Sequence, residues 1–216
     1  MRKKKSVTKS HNPITDELNA VYVTQYEVTD EPIQERSYRK LPRSVKDKLE
    51  SLYQEAQRNP RQAIPELHAL KRKYPQVPQI YNFLAVAYSR AGEIEKAQAI
   101  TLQNMRKNPD YLFARLNYAE FCLARKEYEK IPEIFEHKYD LQLLYPKRKR
   151  FHVSEVANFL GVMGLYFSKT NQRELAKKFN KILQELDPGI PIAKRLNREL
   201  NPGFFARVLK RFQGNN

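Results

Sequence analysis

The stretch IYNFLAVAYSRAGEIEKAQAI, residues 80–100, decides the fold. Its first ten residues place apolar side chains at intervals of three and four, the spacing that aligns them on one face of a helix. Gly92 interrupts this pattern, and a second apolar face follows until Asn108-Pro109, where proline cannot continue a helix. The stretch therefore predicts two antiparallel helices joined by a tight turn.

The same plan returns at a fixed interval along the chain. The step from Ala63 to Ala97 equals the step from Pro75 to Pro109, the prolines that close the same two segments. Ala176 and Pro188 are separated by the same distance in sequence as the alanine and closing proline of each earlier segment. A fixed period of this length is typical of helix pairs that stack on one another.

The residues at fixed places in these segments resemble the tetratricopeptide repeat. In that family an aromatic or apolar residue, then Leu-Gly/Ala, then Tyr mark the first helix, and Ala and Pro mark the second. The matching residues are Tyr81, Leu84, Ala85, Tyr88, Ala97 and Pro109 in one segment, and Leu160, Met163, Gly164, Phe167, Ala176 and Pro188 in another. Thr101 and Asn104 depart from the pattern, since apolar residues are usual there, and Ile131 replaces a small residue.

The resemblance implies an all-α fold, a right-handed α-α superhelix of about four helix pairs with capping helices at its carboxyl end. Small residues such as Ala85, Ala97, Ala119, Gly164 and Ala176 would let paired helices approach closely.

Four repeats are expected, with other segments between and around them. The repeats span about 44–77, 78–111, 112–145 and 157–190. Eleven added residues fall in an insertion near 139–152, which we expect to lengthen the second helix of the third repeat and then form a basic loop. Residues 1–43 are polar and predict a basic, mostly disordered arm. Residues 191–216 predict a capping helix and then a short basic amphipathic helix.

Composition limits the kinds of site and partner. Forty Lys and Arg against 24 Asp and Glu give a net charge of +16, which attracts acidic peptides, nucleic acid or anionic lipid. Cys122 is the only cysteine, so no intramolecular disulfide can form. The basic amino end is followed by polar residues where a signal peptide would be apolar, and no apolar stretch reaches the roughly 20 residues that span a membrane. We expect a soluble, cytoplasmic protein.

No pattern in the sequence indicates catalysis. The four histidines are scattered and no two have the spacing of helical metal ligands. The six glycines form no phosphate-binding loop. We therefore expect no catalytic residue, no cofactor and no metal.

The resemblance implies that the first helices line a groove that binds a partner protein. Amide side chains there could bond the backbone of an extended peptide or helix, and Arg90 or Lys169 could bind an acidic group. The candidate groove residues are Asn82, Val86, Ser89, Arg90, Phe113, Asn117, Glu120, Asn158 and Lys169. The sequence thus predicts a non-catalytic adaptor.

Two other interpretations stay open. The basic run Lys147, Arg148, Lys149 and Arg150 has aromatic neighbours and could contact phosphates, which favours a protein that binds RNA or ribonucleoprotein, although such a run can also be a solvated loop. The amphipathic segment Phe204–Phe212 could contact a membrane surface or dock on the end of the repeats.

Overall fold

The computed structural model describes residues 26–202, which are mostly helical. They form eleven helices and two strands of three residues each. In chain order these are β1 Glu27–Thr29, α1 Arg36–Arg39, α2 Arg43–Arg58, α3 Pro60–Lys73, α4 Pro78–Arg90, α5 Ile94–Lys107, α6 Leu112–Ala124, α7 Lys130–Ile134, α8 Leu141–Leu144, β2 Arg150–His152, α9 Val153–Lys169, α10 Arg173–Leu186 and α11 Pro191–Leu200. Helices that are adjacent in the chain pack against each other, as an all-α fold of helix pairs predicts.

The chain divides into two compact units. Residues 32–121 form one of them, which we call the continuous unit. The other, which we call the discontinuous unit, contains residues 26–31 and 122–202 among those described. Its first strand thus precedes the continuous unit in the sequence, and its helices follow.

The continuous unit is built from the pairs α2–α3 and α4–α5 and the first part of α6. Pro60 and Pro78 begin α3 and α4, at the helix position where a missing N–H costs nothing. Gly92 has a φ of 80°, a left-handed conformation that glycine adopts without strain, and it makes the turn between α4 and α5. Helix α5 ends at Lys107, just before Asn108-Pro109, where the sequence predicted its end.

Helix α9 is the centre of the discontinuous unit and packs against α10 and α11. Its two glycines are where α11 comes closest. A Cβ atom at Gly161 would overlap the side chain of Ile192, and one at Gly164 would overlap that of Leu196. Gly164 and the alanines predicted to permit close pairing are buried. Glycine at these two places therefore sets the distance between α9 and α11.

Within residues 1–43, for which the sequence predicted a basic, mostly disordered arm, the strand β1 and the helix α1 give regular structure to part of residues 26–43. Strand β1 pairs in parallel with β2, with Val28 opposite Phe151. Leu41, just before α2, is only 6% exposed. The partner strand lies more than a hundred residues further along the chain, so local composition could not reveal it. Residues 1–25 lie outside the described part of the chain.

The insertion also differs from its prediction, because the second helix of the third repeat is not lengthened. Helix α7 has five residues, and Glu136 and His137 beyond it have φ values of 54° and 55°, which turn the chain out of a helix. Asp140 then caps α8 by accepting hydrogen bonds from the backbone N–H groups of Gln142 and Leu143, at 2.8 and 3.0 Å. A short helix and a strand therefore take up much of the predicted loop.

The capping helix predicted after residue 190 is α11. It packs on α9 and α10, and the Arg173 side chain donates a hydrogen bond to the carbonyl oxygen of Leu200 at its end. The amphipathic helix predicted over Phe204–Phe212 lies outside the described residues. Over residues 26–202, none of the helices has both the length and the apolar character needed to cross a bilayer.

Candidate partner-binding surface

Asn82 on α4 lies at the centre of an amide network within the continuous unit. Its Oδ1 accepts hydrogen bonds from Nδ2 of Asn104 at 3.0 Å and Nδ2 of Asn117 at 3.2 Å, and its own Nδ2 donates to the Tyr111 hydroxyl at 3.0 Å. Asn104 is fully buried and also donates to the carbonyl oxygen of Pro78 at 3.1 Å. Two predicted groove amides, Asn82 and Asn117, are therefore half-buried and bonded to each other.

Beside this network, α4 carries a stripe of partly exposed residues. Phe83, Val86 and Arg90 recur at three and four residues and so share one face of the helix. Tyr53 of α2 packs its ring against that of Phe83, with 4.8 Å between ring centroids and 37° between ring planes. Tyr53, Phe83, Val86, Ser89 and Arg90 all belong to the first helix of a pair, and we call them the first-helix surface.

The first-helix surface combines an anchored aromatic pair with a cation. Phe83 and Val86 are half-buried and pack against the hydrophobic core of the unit. Tyr53 stays 38% exposed, one of only three large apolar residues so exposed in the described chain. Arg90 is exposed and forms no ion pair with any residue in 26–202. The surface can thus offer an apolar contact and a positive charge side by side.

The remaining predicted groove residues have varied surroundings. Phe113 on α6 is half-buried and packs against Tyr111, with 5.8 Å between ring centroids. Glu120 on the same helix is half-buried. In the discontinuous unit, Asn158 donates from Nδ2 to the Ser154 carbonyl oxygen at 2.7 Å. Lys169 forms an ion pair with Glu199 at 2.9 Å. Of the nine predicted residues, the structure places Val86, Ser89 and Arg90 together on the first-helix surface.

Two of the four cations in the basic run, Arg148 and Arg150, form ion pairs within the discontinuous unit. Arg148 binds the buried Glu155 carboxylate through two hydrogen bonds of 3.0 and 2.6 Å, and its guanidinium lies 4.2 Å from the centroid of the Phe151 ring. The same carboxylate accepts a hydrogen bond from the His152 backbone N–H at 2.9 Å. Bidentate pairing with a buried carboxylate is the role for which arginine is suited.

Arg150 forms ion pairs with Glu27 and Glu31, both at 3.1 Å, and so ties the strand β1 region to β2. Lys147 and Lys149 are exposed and have no ion pair in the described chain. The run therefore offers Lys147 and Lys149 to a polyanion without a competing ion pair in the described chain, whereas Arg148 and Arg150 are already engaged by carboxylates.

The described residues contain no cluster of three or more His, Cys, Asp and Glu side chains able to hold a metal ion, and Cys122 is buried. No protein-family model matches the chain, and neither a curated protein nor a solved structure matches it.

Sequence reasoning missed Tyr53 and Phe83, the two aromatic residues of the first-helix surface. A signal was present for Tyr53, because Lys46, Glu50 and Gln57 recur with it at three and four residues on one face of α2. An aromatic residue within an otherwise polar helix face is expected to be exposed, and tyrosine is enriched among the residues that dominate protein interfaces.

Proposed function

We propose that the chain is a non-catalytic adaptor of the tetratricopeptide type, which binds a peptide or helix of a partner protein on the first-helix surface. The exposed Tyr53 ring, packed on the half-buried Phe83, is the observation that carries this proposal. Exposed aromatic residues and arginine are the residue types that dominate the binding energy of protein interfaces. Because Phe83 is held against the core, the pair is already in place and loses little conformational entropy on binding.

Several features support the tetratricopeptide part of the proposal. The repeat interval, from Ala63 to Ala97, coincides with the step from the pair α2–α3 to the pair α4–α5, and small residues are buried where the repeat requires them. Stacking of all pairs into one right-handed superhelix belongs to the proposal, as does a location in the cytoplasm. A single buried cysteine suits a reducing compartment.

A protein partner is favoured over RNA because two arginines of the basic run form ion pairs within the protein. Arg148 binds the buried Glu155 carboxylate, so a phosphate would have to displace Glu155 to bind it, and at the exposed Arg150 a phosphate would compete with Glu27 and Glu31. Arg90 on the first-helix surface has no such ion pair with a carboxylate in residues 26–202.

The test is affinity purification of the tagged full chain, with Tyr53→Ser compared with wild type by quantitative mass spectrometry. Ile94→Ser is the matched control, because Ile94 is 43% exposed but lies on a second helix, α5. Truncating an interface hot spot weakens binding by about thirtyfold. We expect at least one protein to be lost with Tyr53→Ser and retained with Ile94→Ser.

Circular dichroism of both variants checks that they remain folded. Identical sets of proteins recovered with wild type and with Tyr53→Ser would contradict the proposed binding surface.

A further inference from the structure

A group of cations lies at the carboxyl ends of the two second helices of the continuous unit. We call it the basic cluster: Lys71, Arg72 and Lys73 in the last turn of α3, and Arg106 and Lys107 in that of α5. A hydrogen bond of 2.9 Å from Lys71 Nζ to Gln103 Oε1 joins the two helices there. None of the five cations forms an ion pair with any residue of 26–202.

The helix dipole explains only in part why five cations lie at the carboxyl ends of these two helices. A cation at the carboxyl end of a helix is favourable, but the effect is short-ranged and does not require five charges on neighbouring helices. The pKa of Lys71 is lowered first by burial and then by repulsion from the charges of Arg72 and Lys107, so these cations lie close enough to interact. Burial, Lys71 and Arg72 likewise lower the pKa of His68. A bound anion would relieve this repulsion.

Next to the cluster, a shallow hollow of about 530 Å³ runs along α5. It is lined by Ala99, Ile100, Leu102, Gln103, Arg106 and Lys107. Two members of the basic cluster thus stand at one end of a mainly apolar depression. The phosphates of a nucleic acid could use the cations but would leave the apolar part unused. A helix with carboxylates and apolar side chains could use both.

We propose that the basic cluster and this hollow form a second docking site, for an acidic amphipathic helix of a partner protein. Carboxylates of that helix pair with Arg72, Arg106 and Lys107, and its apolar side chains lie over Ala99 and Leu102. The site belongs to second helices and is distinct from the first-helix surface, so the two can be tested separately.

The probe is a fluorescein-labelled synthetic amphipathic helix rich in Glu and Leu, titrated with the full chain and followed by fluorescence anisotropy. Arg72→Gln/Lys107→Gln removes two exposed charges of the cluster. Arg58→Gln/Arg61→Gln is the matched control: it also removes two exposed, unpaired arginines of the unit, and Arg61 is about 16 Å from Arg72 along α3.

We expect the first variant to bind the probe about tenfold more weakly at physiological ionic strength, and the control less than about twofold more weakly. Ala99→Gln, which adds bulk at an exposed position of the hollow, should weaken binding too. A probe with Gln in place of every Glu should not bind. Tyr53→Ser should leave the affinity for the acidic probe unchanged, whether or not the first-helix surface binds a partner.

Three results would overturn the proposal. One is an acidic probe that does not bind, and another is equal weakening by both double variants, which would indicate only the general field of the protein. The third is tighter, equally cluster-dependent binding of an oligouridylate of the same charge, which would show that the cluster serves nucleic acid.

Discussion

Replacing Gly161 with alanine puts a methyl group where α9 and α11 are in closest contact. The added Cβ would overlap Cγ1 of Ile192 and lie 2.9 and 3.0 Å from its Cδ1 and Cγ2 atoms. Ile192 is 7% exposed and branched at Cβ, so its side chain has few rotamers into which it can move. The helices themselves must therefore separate or tilt.

Two effects of opposite sign determine how much Gly161→Ala changes the free energy of unfolding. Overpacking a buried contact costs about 1–3 kcal/mol, and a clash with three atoms of a stiff side chain belongs at the upper end. Alanine is about 1 kcal/mol more favourable than glycine inside a helix. We therefore expect Gly161→Ala to lower the free energy of unfolding by about 2 kcal/mol.

A second substitution makes the test specific. Ile192→Ala removes the clashing atoms and should itself cost about 2–5 kcal/mol. In that background, Gly161→Ala should raise the free energy of unfolding by up to about 1 kcal/mol, because only the helix preference of alanine remains. Urea unfolding followed by far-ultraviolet circular dichroism measures all four proteins. If Gly161→Ala were as stable as wild type, or lost the same free energy in both backgrounds, the reasoning about this helix contact would be refuted.

Asn104→Ala should lower the free energy of unfolding by about 2 kcal/mol in urea, since it deletes a fully buried amide together with its hydrogen bonds to the Pro78 carbonyl oxygen and to Asn82; an unchanged midpoint would contradict the network. Glu155→Gln should cost about 2 kcal/mol in the same assay, because Arg148 stays partly buried without its counter-charge, and a gain in stability would contradict this. Burial and Lys71 lower the pKa of His68, so the unfolded chain binds more protons than the folded chain between the folded pKa and about 6.5. The stability that neutral His68 contributes is fully present above about pH 6.5 and is lost as the pH falls toward the folded pKa. NMR titration of His68 should give a midpoint below about pH 6.5. A higher midpoint would mean that the stability changes with pH in the opposite direction.

The helix pairs could be predicted because their signals are local. Gly92 and the prolines such as Pro109 act on the backbone at their own positions, and the apolar spacing depends only on the geometry of one helix. Ala97 and Gly164 were likewise predicted to allow close helix contacts, because their small size and their place in the repeat can be read locally. That Gly164 contacts α11 could be seen only in the structure.

The candidate site was harder to predict than the helices, because the sequence of a helix face does not show which of its polar side chains are hydrogen-bonded to other residues of the protein. Asn82 and Asn117 lie on the expected first helices but bond to each other. The sequence did hold a clue in Asn104, a polar residue where the repeat is usually apolar, since a buried amide requires partners nearby. Arg90 was predicted because the resemblance assigns its position on the first helix to the groove, whereas the exposed ring of Tyr53 was overlooked.

Interactions between distant parts of the chain could not be predicted at all. Nothing near Val28 indicates a strand partner, because that partner is Phe151. The charges of Arg148 and Arg150 suggested phosphate binding, and only the fold shows Glu155 and Glu27 within reach. Helix α7 ends without a glycine or a following proline, so the usual stop signals are missing there.

The position of β1 at one end of a discontinuous unit has a consequence for biosynthesis. A ribosome releases Glu27–Thr29 before any of the continuous unit, but their partner Arg150–His152 is translated more than a hundred codons later. The nascent segment must therefore wait, unpaired, while α2 to α5 fold behind it. Removing residues 1–31 from the gene would deprive β2 of its neighbour and would leave Arg150 without two carboxylates.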